Sequence, residues 1–428
     1  MRKIAQRLPA LGLALILLVT ACKPGTGTPE PTIAPTTVPT TAPTAVSGNV
    51  EELATPVMGD PNEPVTVVTP EAPGTCTASP LPELPVRAVD ETDHVKGASL
   101  ADADLVLYEY SDFQCPGCGG MYPVVEAFVE QNPKVALVYR HFPLDFHALA
   151  PITAEASEAA GAQGKFWEMH DLLFDNTAQW TSLTVESIRP VLTSYAETLE
   201  LDVDAFNAAL DGGTYTEKVK SQYNEGLALG LPGTPSFIFD KVLFPSDIGL
   251  SLQGLQAFLS IIEKQDEIFY PEPPAMTVAA EDTFEAVLKT SKGDIRVNLL
   301  AASAPANVNS FVFLAQEKWY DGADFFYVRD NFVAVTGDPT NSTVGYPGYT
   351  CEGEAQGTFD RPGLVGMLAN GQFFITLGAD AAQLTGQFSL IGQVVEGLEV
   401  LDTLARRVVG DPAAPVADVL ESIEIIAK

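Results

Sequence analysis

Two cysteines set two residues apart, Cys115-Pro116-Gly117-Cys118, constrain this chain more than any other feature, because of what stands on either side of them. Leu105 to Tyr110 is a short β-forming run, Ser111-Asp112-Phe113-Gln114 turns out of it, and Met121 to Gln131 repeats apolar residues at helical spacing. A strand feeding a helix through the dithiol places Cys115 at a helix N-terminus. There, unpaired N–H groups and the helix dipole favour a thiolate over a thiol. Cys115 is thus expected to act as nucleophile and leaving group, with Cys118 as the resolving thiol. A lone pair of this spacing is also half of a zinc site or an inert structural disulfide. No second such pair and no closely spaced histidines complete a zinc site, so the reading calls for no metal and no cofactor.

Four segments then carry a family likeness: Tyr110 to Cys118, Val138 to Leu144 (containing Arg140-His141-Phe142-Pro143), Gly164 to Phe174, and Gly230 to Phe239 (containing Gly233-Thr234-Pro235). Together and in this order they resemble the DsbA-like thioredoxin-fold oxidoreductases. The resemblance implies an α/β thioredoxin fold with a helical insertion at about 151–230, and a cis Thr234–Pro235 bond beside the dithiol that presents backbone to the substrate chain. It also implies that Glu109, six residues before Cys115, is a buried carboxylate relaying protons to Cys118; apolar neighbours on both sides agree with burial. His141 and His147 lack metal-type spacing and read as structural.

The N-terminus sets the expected location. Arg2, Lys3 and Arg7 give a positive start, 8–19 is apolar, and Val19-Thr20-Ala21-Cys22 resembles a bacterial lipobox. Residues 1–21 read as a lipoprotein signal peptide and Cys22 as the lipidated residue, the alternative being an uncleaved signal anchor. The expected location is extracytoplasmic and membrane-anchored, where disulfide chemistry is useful. Residues 22–85, rich in Thr, Pro, Ala and Val, read as a disordered tether unable to bury a core. Lys+Arg 23 against Asp+Glu 56 gives a formal charge of −33, which excludes nucleic acid and anionic lipid surfaces as partners because both need basic surface.

The first folded domain is expected over 86–269, a Pro-rich hinge over 270–277, and a second domain over 278–428. In the second, strands flank a Lys292-Gly293-Asp294 turn, a helix reads from Ala306 to Gln316, and short β-rich runs with Gly turns follow, the pattern of a mostly β closed barrel. Ala304 to Phe311, Gly337 to Thr340, Gly371 to Thr376 and Ser389 to Leu401 resemble the cyclophilin-type peptidyl-prolyl isomerases. Carried over position by position, the family's catalytic arginine falls at Tyr327, its glutamine at Val335 and the preceding histidine at Phe326.

What remains of a peptide pocket is Phe332, Met367, Ala369, Phe374 and Leu384, with Asn370 and Gln372 as backbone binders. Arg329 shares a strand face with Tyr327 and is the one substitute guanidinium. Cys76 and Cys351 are left over, and parity favours pairing them in an oxidising exterior.

The chain therefore reads as an exported, lipid-anchored folding factor. Its partners would be exported client proteins and a redox partner. An active isomerase with an accessory redox domain, or a non-enzymatic surface adaptor, are the alternatives.

Overall fold

The computed structural model describes residues 60, 61, 63–65, 67, 69, 70, 74–354 and 357–428. The expected signal peptide, Cys22 and the tether up to residue 59 lie outside the described residues. The chain divides into two units: the described residues up to 81, with 257–428, form one, and 82–256 form the other. In chain order the thioredoxin-like unit is thus an insertion into the other. The division falls between Gln256 and Ala257, not at the expected hinge 270–277.

The chain begins with β1 (Cys76–Ala78), which belongs to the second unit and is taken up below. The insertion follows. It comprises β2 (His94–Gly97), β3 (Leu105–Ser111), α1 (Pro116–Gln131), β4 (Val135–His141), the helices α2 (Ala150–Gly161), α3 (Phe166–Asp175), α4 (Thr177–Trp180), α5 (Arg189–Thr198), α6 (Val203–Asp211) and α7 (Thr216–Ala228), then β5 (Ser236–Phe239) and β6 (Val242–Leu243). The sheet order is β2-β4-β3-β5-β6. β3 and β4 run parallel and are joined by α1, as a parallel pair requires a crossover. β3 reads Leu-Val-Leu-Tyr-Glu-Tyr-Ser and is buried along almost its whole length, the continuous pattern of a central strand covered on both faces. Its place between β4 and β5 sets Glu109 opposite Tyr139 on one side and Phe237 on the other. Helices α2 to α7 are the insertion expected at about 151–230.

Helix α8 (Leu252–Ile268) contains the division and leads into β7 (Phe284–Thr290), β8 (Gly293–Leu299), α9 (Pro305–Gln316), β9 (Ala323–Asp324), β10 (Tyr327–Val328), β11 (Val333–Thr336), β12 (Tyr349–Cys351), β13 (Leu364–Met367), β14 (Phe373–Thr376), β15 (Ser389–Glu396), α10 (Leu398–Thr403) and β16 (Val419–Ala427). Nine strands form one antiparallel sheet in the order β10-β11-β14-β13-β15-β8-β7-β16-β9. Its two edge strands, β9 and β10, are separated in the chain only by Phe325 and Phe326. The sheet must therefore curl until its edges nearly meet, and covalent chain rather than a hydrogen-bonded ladder spans the gap. Its concave side holds Ile295, Val297, Val365, Met367, Phe373 and Ile391, closed off by α9. The hairpin turn is Ser291-Lys292, with Gly293 (φ +132°) already starting β8, one residue earlier than the sequence turn.

The tether and the hinge both need correction. β1 pairs with β12 with Cys76 opposite Cys351, and these two cysteines form a disulfide. Glu354 accepts Gly74 N–H (2.7 Å) and also caps α9, taking the N–H groups of Ala306 (3.2 Å) and Asn307 (3.0 Å) where Ala304 has no side chain to do so. Residues 82–85 join the other unit, Leu84 N–H donating to the Lys241 carbonyl (2.7 Å) at the edge of its sheet. A covalent bond and partners elsewhere supply the order that this stretch's own composition lacks.

The proline-rich 270–277 is docked rather than free. Tyr270 N–H bonds the Pro347 carbonyl, and Asn309 of α9, buried, accepts from the N–H groups of Thr277 and Val278 and donates to the Ala275 carbonyl. No helix among the described residues is long and apolar enough to cross a membrane.

Candidate active site

The dithiol sits where β3 gives way to α1. Asp112 builds the turn: its Oδ1 accepts Gln114 N–H (2.7 Å) and its carbonyl accepts Cys115 N–H (3.0 Å), the self-bonding turn that Asp favours. Cys115 is the N-cap of α1, with extended backbone, and Pro116 takes the first helical position where a missing N–H costs nothing. Both cysteines carry thiols. The Cys115 Sγ donates to the carbonyl of Thr234 at 3.4 Å, and the Thr234–Pro235 bond is cis. Cys115 is 1% exposed and Cys118 not at all. Burial, then the adjacent Cys115 sulfur, push the Cys118 thiol well above its ordinary value. The two sulfurs thus differ: one lies at the helix N-terminus against a carbonyl, the other is held as a neutral thiol behind it.

Glu109 lies on the central strand, 2% exposed. Burial raises its carboxyl to about 7, with Glu126 adding to the rise and the Ser111 hydroxyl and Lys96 opposing it. The same hydroxyl also opposes the rise at Cys118 and at Tyr139, whose phenol burial drives far up. Ser111 Oγ and Tyr139 Oη are buried and meet no partner in hydrogen-bonding geometry among the described residues. Glu109, Ser111, Tyr139 and Cys118 are therefore one enclosed polar group, with a carboxyl able to gain or lose a proton near neutrality.

A segment missed in the sequence is strapped to this turn. Asp112 Oδ2 accepts Leu144 N–H (2.9 Å) and pairs with His147 Nδ1 (2.7 Å), while Gln114 Oε1 accepts Leu149 N–H (2.7 Å). Leu149 packs in the same apolar cluster as both cysteines. Asp112, partly offset by burial and helped by Cys115, favours the charged imidazolium of His147. His147 therefore stands at the dithiol turn, whereas the sequence reading treats it as structural. An Asp two residues before a Gln at the end of a strand is the one local signal of this strap. His141 is structural in its contacts: Nε2 meets the buried Glu158 at 3.0 Å, which also holds the half-buried His94 and Lys218. No group of three His, Cys, Asp or Glu side chains among the described residues could hold a metal ion.

In the other unit the structure revises the pocket. β10 ends at Val328, and Arg329 opens the turn into β11, its N–H bonded to the Val333 carbonyl. That bond continues the Tyr327–Val335 register by two residues, and both side chains reach the Phe332 ring, Tyr327 at 6.4 Å between centroids and the Arg329 guanidinium at 5.9 Å. Tyr327 pairs with Val335 in register. Gln372 is buried and spends its amide on the carbonyls of Thr343 and Gly345, so it holds a loop and is not open to a peptide backbone. Asn370 accepts Gln372 N–H within its own turn.

Met367 points into the concave core. Phe374 is 3% exposed, with Phe359 at 5.0 Å and Phe388 at 5.4 Å. Phe332 and Leu384 pack on the same outer cluster. The apolar hollow expected there is filled by the chain's own aromatic rings.

Residues 89–260 match the family model described as Thioredoxin, and 286–425 the one described as Cyclophilin type peptidyl-prolyl cis-trans isomerase/CLD. Curated relatives include Na(+)/H(+) antiporter NhaA 1 of Salinispora arenicola, 37% identical over 157 residues, which are 36% of this chain and 22% of that protein. Na(+)/H(+) antiporter NhaA of Herminiimonas arsenicoxydans is 35% identical over 164 residues, 37% and 24% of the two chains. The chain thus spans about a fifth to a quarter of the length of these relatives. Similar solved structures are BdbD from Bacillus subtilis (18% identity, 44% of this chain and 98% of that one, TM-score 0.36) and a cyclophilin type peptidyl-prolyl cis-trans isomerase from Cryptosporidium parvum (25%, 34% and 99%, TM-score 0.32). The chain joins a thioredoxin-family domain, residues 89–260, to a cyclophilin-type domain, residues 286–425.

Proposed function

We propose that this protein is an extracytoplasmic folding factor, anchored through a lipid on Cys22, whose first domain exchanges disulfides with exported clients and whose second holds segments of the same clients. The observation that carries the first part is the asymmetry of the dithiol: Cys115 Sγ at the helix N-terminus and 3.4 Å from the Thr234 carbonyl, with Cys118 enclosed behind it and sharing the Ser111 hydroxyl with buried Glu109.

In the oxidising direction a client thiolate attacks Cys115 Sγ and the Cys115–Cys118 bond breaks. Cys118 leaves as a thiolate that takes a proton from the Glu109 carboxyl. A second client thiolate then attacks the client sulfur of the mixed disulfide, Cys115 leaves as a thiolate, and the client gains a disulfide as the enzyme becomes the dithiol. A separate redox partner must remove the two electrons. In the reverse direction, Cys118 loses its proton to the Glu109 carboxylate and attacks Cys115.

The test is the pH dependence of that resolving step in wild type and Glu109→Gln. In wild type the rate of client release from the mixed disulfide rises as pH passes through about 7. The variant loses this step and is slower by about a hundredfold above it, the scale of one positioned acid–base group. An unchanged profile would remove Glu109 from the mechanism. Stability moves the other way. Because the folded carboxyl is raised above its unfolded value, its stabilising contribution is complete below the unfolded value and is lost as pH climbs to about 7. Glu109→Gln is therefore more stable than wild type at pH 8, by on the order of 3 kcal/mol, and equal to it near pH 4.

For the second domain the geometry argues against prolyl catalysis. Lowering the ~18–20 kcal/mol amide barrier needs a donor aimed at the prolyl nitrogen. Tyr327 stands at the arginine position and Arg329 sits in a turn. In a prolyl tetrapeptide assay the full chain and its Arg329→Ala variant should both run at the uncatalysed rate. Catalysis abolished by Arg329→Ala would restore the isomerase reading.

A further inference from the structure

Upstream of the disulfide-bonded strand, a short piece of the chain's own N-terminal segment lies on the cyclophilin-like unit in a specific way. Asp60 and Glu63 close a turn through Glu63 N–H and the Asp60 carbonyl (3.1 Å), with Pro61 at the second position, which its fixed φ suits. Two side chains of the unit read this turn. Arg361 Nη1 donates to the carbonyls of Asp60 (3.0 Å) and Glu63 (3.3 Å). The Gln393 amide donates to the carbonyls of Pro61 (3.1 Å) and Glu63 (2.8 Å), and its oxygen accepts Val65 N–H (3.2 Å). Val65 then packs on the outer-face cluster that contains Phe359, Leu364, Phe374 and Leu390.

Every polar contact in this set is to main chain. The shape of a prolyl turn followed by an apolar residue is therefore recognised, with little demand on the side chains. Pro61 and Pro64 help in two ways: they restrict the unbound segment and present carbonyls without N–H groups that would need partners. Arg361 is itself built in. It is mostly buried, it is paired with Asp360, and its own carbonyl accepts the Thr376 hydroxyl. Its positive charge faces a segment bearing Asp60 and Glu63, in a chain with few cations.

We propose that Arg361 and Gln393 form a turn-reading cleft on the cyclophilin-like domain, filled in cis by the prolyl turn at Asp60 to Val65 and open to acidic prolyl turns of client chains when that turn leaves. The cleft is distinct from the aromatic-filled hollow over Phe374, although Val65 touches the same cluster. Cis occupancy needs little intrinsic affinity. Val65 lies a short stretch before Cys76, which is covalently held to Cys351, and a tether of that kind supplies an effective concentration in the millimolar range. A client competes against that concentration, so the bound turn acts as a threshold that only dense or tightly held clients exceed. The assignment of clients as the trans ligand rests on the folding-factor reading above; the cis contact does not.

The experiment uses the full chain and a fluorescein-labelled peptide with the sequence of residues 58–68, followed by anisotropy. Val65→Asp removes the apolar anchor in cis and leaves the cleft intact, so the labelled peptide should bind about tenfold more tightly than to wild type. Adding Arg361→Ala to Val65→Asp should abolish that gain. Gln393→Glu in the same background, which deletes two donors with little change of shape, should do likewise while near-UV circular dichroism remains that of wild type. Equal peptide affinity in wild type and Val65→Asp, or a gain that survives both Arg361→Ala and Gln393→Glu, overturns the cleft. Reduced, carboxymethylated ribonuclease A serves as a client probe on the same variants. If Val65→Asp binds it regardless of Arg361, client holding stands and the cleft assignment falls; if the variant binds the peptide but not this client, the cleft stands and the client role falls.

Discussion

Cys118→Ala is expected to turn the protein from a turnover catalyst into a trap. Given a disulfide-containing client, Cys115 attacks one client sulfur, the other leaves, and the mixed disulfide persists because the thiol that resolves it is gone. Multiple turnover drops to background while a covalent adduct of enzyme plus client accumulates, visible by intact mass and lost on adding reductant. The substitution removes a fully buried sulfur from a packed cluster, so it leaves a small cavity and the fold persists. Cys115→Ala forms no adduct, because the remaining thiol is both enclosed and held protonated by burial. The opposite pattern, an adduct in Cys115→Ala and turnover in Cys118→Ala, would reverse the assignment of the two sulfurs. Cys115 is itself only 1% exposed, so the groups packed over it must shift before a client sulfur can approach in line. Loosening the strap with Gln114→Ala is a way to see whether that shift limits the rate.

How much of this could be read in advance follows from how far apart the interacting residues are. The strand, dithiol, helix order is local and leaves a periodic pattern, whereas the thioredoxin-like and cyclophilin-like folds were legible through the family resemblance of several separate segments. Glu109 was marked by the resemblance, and the apolar neighbours on its own strand agreed with its burial. His147 was not marked, because its partner Asp112 is 35 residues away and the local pair Asp112 and Gln114 does not say which downstream residue it meets. Composition misled at the tether: a Thr- and Pro-rich stretch cannot make its own core, but residues 60–65 and 74–78 use the hydrogen-bonding groups and the cysteine of another part of the chain. Alternation carried past the two-residue strand at Arg329, because its N–H bond to Val333 keeps the ladder register into the turn. At Gln372 the error was of another kind. The residue type indicated an amide with bonds to make, and only the structure shows that an internal loop has already taken them.

Arg140→Met is expected to cost the thioredoxin-like unit about 3–5 kcal/mol, the price of leaving buried charge unpaired. Arg140 is fully buried on β4, and all five of its donors are engaged. Nε and Nη2 meet the two oxygens of Asp93 at 3.1 Å each, Nη1 donates to Tyr110 Oη (3.0 Å) and Glu225 Oε1 (2.7 Å), and Nη2 also bonds the Arg87 carbonyl (3.0 Å). One side chain thereby ties β4 to β3, to α7 and to the chain that leads into β2, with the Tyr108 ring 4.7 Å beneath its guanidinium. Methionine keeps the volume and none of the donors, and it strands the fully buried Asp93 carboxylate with only Arg87 for a cationic partner. Lysine should recover little, because three donors on one nitrogen cannot reproduce a planar fork that grips Asp93 with two nitrogens while reaching three other acceptors. In urea the transition of the thioredoxin-like unit should move down by roughly 2 M, given slopes of about 1–3 kcal/mol per molar, while that of the cyclophilin-like unit stays in place. Hydrogen exchange resolves the two units by peptide and avoids treating a two-unit chain as a single transition. Arg140→Met combined with Asp93→Asn and Glu225→Gln removes the stranded charges, so much of the loss should return. A triple variant no more stable than Arg140→Met would show that the network's contribution lies in its hydrogen bonds and packing rather than in the pairing of charge.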